Sequence, residues 1–325
     1  MLSVLLALFL VPSFVSQEQR VVERRFTSEL ELATDSFEIE AAEEGKSVSQ
    51  QGPRLQREEA FEAEIADTLF DDQRPPAKFT RFYRTVMSSL SLSGDGVPRE
   101  KTASAGLEGK RVTFERSEGR YARSCEDAEV PAFQLNRLRA DLSLARFLPP
   151  EDQDEGSASY TVPFADFFRL LAPLEERPRR PHAKTPSAPG GLNLAPTALT
   201  EPIAVLLWGA DGELTVTPRA RAEGDDLPRN AELAFRFEGA FDGSATLLAA
   251  GPGEAEDEVE FVYSGTGHLA WDPEDGRIAL HCEGEVRLDE SFKVSVEANG
   301  KEGHARGRLG MTGTLELEAS EEHGE

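Results

Sequence analysis

The stretch SGTGHLAWDPEDGRIALHCEG, residues 264–284, concentrates the residue types that could carry chemistry in this chain. Residues 265–270 have the G-x-G-x-x-A spacing of a dinucleotide-binding turn. That turn works only where a helix begins directly behind it, so that phosphate meets the helix N-terminus. Pro273 and Gly276 follow instead, and they prevent a helix from starting there. The sequence therefore predicts no nucleotide site in this stretch.

The same stretch has the pattern of a β-hairpin. If Asp272 pairs with Arg277 across a turn at residues 273–276, Trp271 faces Ile278 and the large apolar side chains share one face. Asp before the turn, Pro within it and Gly at its end suit a loop built around a type I turn. We therefore predict two antiparallel strands in this register.

This register places two histidines opposite each other on the polar face. His268 faces His281, while Cys282 points to the apolar face, and of the nearby residues only Glu283 could add a third ligand. Two imidazoles suit zinc or copper. The alternative is a solvated cross-strand pair without a metal, and the hairpin by itself does not decide between them.

Other catalytic signatures are missing from the sequence. It contains no G-x-S-x-G elbow, no H-E-x-x-H pair and no phosphate-binding loop. All five histidines lie at or after His182, and a carboxylate pair for hydrolysis cannot be located among 60 acidic residues. We therefore predict no catalytic residues and no cofactor, and favour a protein that is not an enzyme.

The charge of the chain limits its partners. A formal net charge of −25 repels nucleic acid and anionic membrane surfaces. The apolar run at residues 2–11, followed by small residues before Glu18, has the layout of a signal peptide over residues 1–16. The sequence has no second long apolar run, so we expect an exported protein of the periplasm, envelope or extracellular space without a transmembrane segment.

Alternation of apolar and polar residues with period two dominates the chain and predicts β-strands. Short strands joined by tight turns form antiparallel meanders, because parallel neighbours need long crossovers. We therefore predict a mainly β fold with an antiparallel meander, arranged as a curved half-barrel or as two related β-units.

Two segments depart from the strand pattern. In residues 131–148, Leu138 and Leu142 belong to an apolar stripe at helical spacing that ends before Pro149. A shorter stripe follows in residues 163–172. We predict two amphipathic helices that cover one face of the sheet.

A proline-rich segment at residues 173–202 reads as a linker. It divides the chain into units that could still share one sheet. The predicted organisation is a signal peptide, an N-terminal β-rich unit with both helices at 17–172, the linker, a C-terminal β-unit at 203–320 and an acidic tail at 321–325.

The two cysteines lie in similar stretches, GRYARSCE at residues 119–126 and GRIALHCE at residues 276–283. A shift of 157 residues superimposes them, which suggests an internal duplication. An even pair of cysteines in an exported protein is typically bridged. We therefore predict a disulfide between Cys125 and Cys282.

Three further motifs accompany the exported start and the meander: GKRVTF at residues 109–114, YTVPFADFFRLLAP at 160–173 and GTGHLAWDPEDGRIAL at 265–280. Together they resemble those of uncharacterised secreted bacterial β-rich proteins. The architecture is similar to the periplasmic lipoprotein-carrier type, in which a curved antiparallel sheet wraps helices around an apolar cavity.

That resemblance implies a binding role for the two helices, as a lid over an apolar ligand. The implied ligand-binding residues are Leu138, Leu142, Phe164, Phe167, Phe168 and Leu171. We expect a non-enzymatic scaffold or binding module for a lipid or other amphipathic ligand. The alternatives are a secreted hydrolase that uses a carboxylate pair and a purely structural envelope protein, for which we expect a filled core without a cavity.

Overall fold

A computed structural model describes the greater part of the chain. The described residues are 20–43, 46–52, 54–71, 73, 75–94, 99–104, 106–127, 130–149, 159–174, 210–220, 227–242, 253–298 and 301–324. The predicted signal peptide, and the predicted linker after Leu174, lie outside them.

Within the described residues, thirteen strands form a single antiparallel sheet. They are β1 (Arg20–Glu43), β2 (Lys46–Gln51), β3 (Gln56–Leu69), β4 (Lys78–Ser93), β5 (Arg99–Ser104), β6 (Arg111–Ser117), β7 (Arg120–Cys125), β8 (Tyr160–Pro163), β9 (Asp211–Arg219), β10 (Arg229–Asp242), β11 (Gly253–Asp272), β12 (Arg277–Ala298) and β13 (Lys301–Gly324). The mainly β, antiparallel fold class is confirmed, and the sheet is open and curved.

The order of the strands joins both parts of the chain in one sheet. The order is β7-β6-β4-β3-β1-β13-β12-β11-β10-β9-β8, with β2 also on β1 and β5 also on β4. The junction is the long β1–β13 pair, which runs from Val21 opposite Gly324 to Glu43 opposite Gly303. The units that the sequence separates at the linker therefore share their sheet, and residues 321–324 belong to β13 instead of an acidic tail.

Alternation along the strands creates one buried face and one solvated face. In β3, for example, Phe61, Ala63 and Ile65 are buried while the residues between them are partly exposed. Buried side chains from both parts of the chain form one continuous apolar core. The pattern of period two thus predicts correctly which residues face inward.

The helical segments lie against the buried face. The second predicted helix is present as α2 (Phe164–Leu171), between Pro163 and Ala172. The first prediction, one helix over residues 131–148, is wrong: only α1 (Ala132–Leu135) and a 3₁₀ turn (Leu144–Phe147) are helical.

Hydrogen bonds to other parts of the fold replace the helical bonds in this segment. The carbonyl groups of Arg139 and Ala140 accept from the Arg81 guanidinium at 2.6 and 2.9 Å. The N–H of Arg139 donates to the carbonyl of Leu174 at 2.7 Å. Residues 138–149 therefore form a largely irregular strap across the concave face, in which backbone groups of Arg139 and Ala140 find their partners outside the strap.

The hairpin register predicted for residues 268–281 is confirmed. Asp272 pairs with Arg277, Trp271 with Ile278, and His268 with His281. The Asp272 carboxylate accepts hydrogen bonds from the N–H groups of the turn, first of all that of Glu274 at 2.9 Å, and these bonds lower its pKa. Gly276 closes the turn with φ of 68°, the left-handed geometry that glycine tolerates best.

The predicted disulfide is wrong, because Cys125 and Cys282 are free thiols. Both are on hairpins, as the proposed duplication requires, but β7 is at the edge of the sheet and β12 is internal, six strands away. At about 4.8 Å a strand, the two residues are separated by roughly 29 Å along the sheet. A disulfide requires Cα atoms within about 7 Å.

Thiol labelling tests this arrangement. In unfolded, unreduced protein we expect both cysteines to react with Ellman's reagent. In folded protein we expect Cys125, which is half-buried, to react first, because burial raises the pKa of the Cys282 thiol and keeps it from the reagent. Absence of reactive thiols in the unfolded, unreduced chain would contradict the structure and support the predicted disulfide between Cys125 and Cys282.

Candidate functional site

A cavity of about 1260 Å³ lies at one end of the sheet. Because the strands are antiparallel, this end collects the first residues of β1, β4, β10 and β12 and the last residues of β3, β9, β11 and β13. The strap closes its inner side with residues 140–149. We call this space the end cavity.

The wall of the end cavity is largely apolar near the core. Strand residues supply Val22, Phe79, Trp271 and Ile278, and the strap supplies Leu142. All five side chains are less than a tenth exposed, so the wall is continuous with the hydrophobic core. A surface of this kind fits the hydrocarbon part of a ligand.

Charged side chains also line the end cavity, with both signs present. Arg20, Arg24, Arg219 and Arg229 lie on the wall together with Asp67, Asp141, Asp272, Glu274 and Glu321. These four cations and five carboxylates nearly balance, in a chain whose net charge is −25. The cavity is therefore far less acidic than the protein as a whole.

A buried ion-pair network forms the floor of the end cavity. Arg24 on β1 donates from Nε to Oε2 of Glu321 on β13 at 2.8 Å, and from Nη1 to Oδ2 of Asp67 on β3 at 2.7 Å. All three side chains are less than a tenth exposed. Opposite charges on three neighbouring strands thus neutralise one another away from water.

Arg81 on β4 extends the network and is fully buried. It binds Asp67 with two parallel bonds, Nε to Oδ1 at 2.6 Å and Nη2 to Oδ2 at 2.7 Å. Its guanidinium carbon also lies 5.0 Å from the centre of the Phe114 ring. Burial alone would lower the pKa of Arg81, but the ion pair with Asp67 outweighs it and raises that pKa.

The network holds the strap in place and so shapes the cavity. Arg81 donates to two strap carbonyl groups, and the N–H of Leu144 donates to Oε2 of Glu321 at 3.0 Å. Arg139 of the strap donates in turn to the carbonyl of Ala172, directly after α2. One set of side chains therefore connects β1, β3, β4 and β13 with both helical segments.

The two buried carboxylates of the cavity are committed to this network. Both oxygens of Asp67 accept from guanidinium groups. Oε2 of Glu321 accepts from Arg24 and from the strap, and its Oε1 lies 3.4 Å from Nε2 of His323. A general acid needs a carboxyl group that donates its proton to a substrate. The geometry therefore gives Asp67 and Glu321 a structural role and does not offer either of them as a general acid.

The aromatic helix that the sequence suggested as a lid packs directly on the sheet. The Phe167 ring is fully buried, with its centre 4.6 Å from that of Phe237 and 5.5 Å from that of Phe235. Phe164 lies 4.8 Å from Phe237 and 5.7 Å from Phe168. These rings fill the space between α2 and β10, so the helix contributes to the core.

Of the six residues implied as ligand-binding, only Leu142 is on the described wall of the end cavity. Leu138, Phe167 and Leu171 are buried in the core, and Phe164 and Phe168 pack at its margin. The structure therefore separates the aromatic helix from the end cavity, and brings Trp271 to the wall instead.

The two histidines of the hairpin lie on the outward face, away from the helices. His281 faces His268 across the β11–β12 pair, and Cys282 points inward. Two carboxylates near Nδ1 of His281 come from β13, which the hairpin register could not indicate. They are Glu316 and Glu318.

Sequence reasoning missed the end cavity and its network, although one signal was present. Arg24 lies between Val22 and Phe26 in the inward register, and Asp67 continues the inward series of Ala63 and Ile65. A charged residue at an apolar position of a strand must find a buried partner. This pattern identifies Arg24 and Asp67 as buried charged residues, but it does not show which residue each of them pairs with.

Comparison with known proteins does not show a family for this chain. No known protein family matches the chain, and no curated protein matches it. Among solved structures, the chain is similar to the single-particle cryoEM structure of the V. cholerae type IV competence pilus secretin PilQ, at 8% identity and a TM-score of 0.16. The match covers 94% of this chain and 61% of the secretin chain, so this chain spans less than two thirds of the secretin's length. A TM-score this low establishes neither a shared fold nor a shared function.

Among the described residues, no helix is long and apolar enough to cross a membrane.

Proposed function

We propose that the protein is an exported binding module that holds an amphipathic ligand in the end cavity. The observation that supports this most directly is the cavity itself, whose volume of about 1260 Å³ exceeds the 300–1000 Å³ typical of small-molecule sites. An apolar wall next to balanced charges suits a molecule with a hydrocarbon part and a polar group. A purely structural protein has no need of such a space.

The buried network supports this role because it keeps the cavity preformed. Arg81 and Glu321 of the protein itself anchor the strap in the absence of a ligand, so binding would require little ordering of the wall. Preorganisation of this kind lowers the entropic cost of association. Export is supported by the apolar run at residues 2–11, which precedes the described part of the chain.

Binding of a fluorescent fatty acid, 11-(dansylamino)undecanoic acid, tests the proposal. The variant Ala145→Trp puts an indole into the end cavity from the strap, since Ala145 lies on its wall. We expect the affinity for the probe to fall by about tenfold or more, equivalent to 1.4 kcal/mol. Direct excitation of the dansyl group keeps the added indole out of the signal.

The matched control is Ala165→Trp, which adds the same side chain at an exposed position of α2 away from the cavity wall. We expect this variant to bind the probe as the parent protein does. Equal affinities of both variants, or no binding by the parent, would reject the end cavity as the site. Native mass spectrometry of protein purified from its own cells, before and after gentle solvent extraction, then looks for the natural ligand.

A further inference from the structure

A second site lies on the outward face of the sheet, on strands β12 and β13. His281 on β12 is directly opposite Glu318 on β13, and Glu316 lies two residues away on the same face. The His281 side chain is 38% exposed, and the side chains of Glu316 and Glu318 are 54% and 62% exposed. The three groups are therefore open to solvent ions and separate from the end cavity.

The ligand atoms of these three residues converge on one another. Nδ1 of His281 lies 3.7 Å from Oε1 of Glu316 and 3.7 Å from Oε1 of Glu318. One ligand atom from each of the three residues lies within 4.8 Å of the other two. A distance of 3.7 Å is too long for a hydrogen bond, which has its donor and acceptor at 2.7–3.2 Å. The imidazole thus faces two carboxylates without a direct hydrogen bond to either.

The spacing corresponds to that of ligands around a metal ion. Two ligand atoms at about 2.1 Å from a tetrahedral zinc ion are about 3.4 Å apart. The two distances of 3.7 Å between His281 and the glutamates exceed this value by a few tenths of an ångström. Imidazole nitrogen with carboxylate oxygen is a donor set that zinc accepts readily, whereas calcium prefers oxygen ligands alone. Two carboxylates on one face of β13 also repel each other, and a cation between them relieves that repulsion.

We infer that His281, Glu316 and Glu318 bind a divalent cation of the zinc class. The ion takes Nδ1 of His281 and one oxygen from each glutamate, and water completes the coordination. The positions of the three ligands are set by the β12–β13 register, so the site is built into the sheet. The ligand set differs from the pair of facing histidines that the hairpin suggested, because the two further ligands come from the adjacent strand.

Titration of the full chain with Zn²⁺ after dialysis against EDTA tests the inference by calorimetry. We expect one strong site per chain, and the variant His281→Ala should weaken it at least about tenfold, since even residues outside the coordination shell change metal affinity by 10–100-fold.

Co²⁺ provides a spectroscopic readout, because a tetrahedral site with nitrogen and oxygen ligands gives intense visible bands and an aqueous ion gives weak ones. We expect His281→Ala to abolish the intense bands.

The double variant Glu316→Gln and Glu318→Gln should have the same effect as His281→Ala. The control is Glu258→Gln with Glu260→Gln, which removes two exposed carboxylates of β11 and leaves the site intact. Circular dichroism checks that each variant is folded. Equal zinc affinity of site and control variants, or Ca²⁺ binding that matches Zn²⁺ and ignores His281→Ala, would show only general attraction to an acidic surface and overturn the inference.

Discussion

Replacement of Asp67 by Asn is expected to lower the free energy of unfolding by about 3–5 kcal/mol. Asp67 neutralises Arg24 and the fully buried Arg81 at once, through contacts of 2.6–2.7 Å. The amide has the shape of the carboxylate but no charge, so the buried Arg81 would lose the carboxylate that it binds with two bonds, while Arg24 would keep its contact with Glu321. The measurement is urea unfolding followed by circular dichroism.

The control for this prediction is Glu62→Gln. Glu62 pairs with Arg25 at 2.9 Å on the outward face, where the two side chains are 34% and 57% exposed. Exposed pairs of this kind contribute about 1 kcal/mol or less. A stability loss for Asp67→Asn no greater than that of the control would mean that the network does not anchor the strap.

Replacement of Phe167 by Ala is expected to lower the free energy of unfolding by about 3–5 kcal/mol, as is usual when a buried ring is removed. The Phe167 ring is fully buried and packs against Phe235, Phe237 and Tyr263. Its loss leaves a cavity between α2 and the sheet. Thermal or urea unfolding measures the effect, and binding of the dansyl probe should persist in the folded variant.

Phe133→Ala provides the matched control, since Phe133 is 60% exposed on α1. A surface substitution of this kind changes stability by about 0.5 kcal/mol or less. If Phe167→Ala left stability unchanged and abolished probe binding, the aromatic helix would be the wall of the ligand site. The end cavity would then not be the ligand-binding site.

Local patterns in the sequence predicted local structure well. The turn residues Asp272, Pro273 and Gly276 determine the hairpin, and the alternation beside them determines which side chains face inward. The stripe of α2 is likewise confirmed between its flanking Pro163 and Ala172. In each case the deciding interactions lie within a few residues of one another.

The strap shows where a local pattern fails. Residues 131–148 have the apolar spacing of a helix, and Leu135, Leu138 and Leu142 of that stripe are buried as the spacing requires. Between α1 and the 3₁₀ turn the backbone is nevertheless irregular, and Arg81 and Leu174 bind backbone groups of Arg139 and Ala140 from other parts of the fold. A helical pattern indicates which side chains are buried, but tertiary hydrogen bonds can replace the helix itself.

The cysteine prediction failed for a related reason. Similar sequences place Cys125 and Cys282 on similar hairpins, but similarity of two hairpins does not determine where each joins a sheet. That choice depends on which strands pair, and the β1–β13 pair connects residues that are between 260 positions (Glu43 and Gly303) and 303 positions (Val21 and Gly324) apart.

The sequence by itself determined the antiparallel β class, the inward and outward faces, the hairpin register and the aromatic helix. These features follow from the period of the apolar pattern along the chain and from the turn residues. Only the tertiary structure decided the strand order and, with it, the two candidate sites. Arg24, Asp67 and Glu321 meet at the end cavity, and His281 meets Glu316 and Glu318, because strands distant in the chain are neighbours in the sheet. Pairing between distant strands depends on the packing of the whole core, and no short stretch of sequence contains that information.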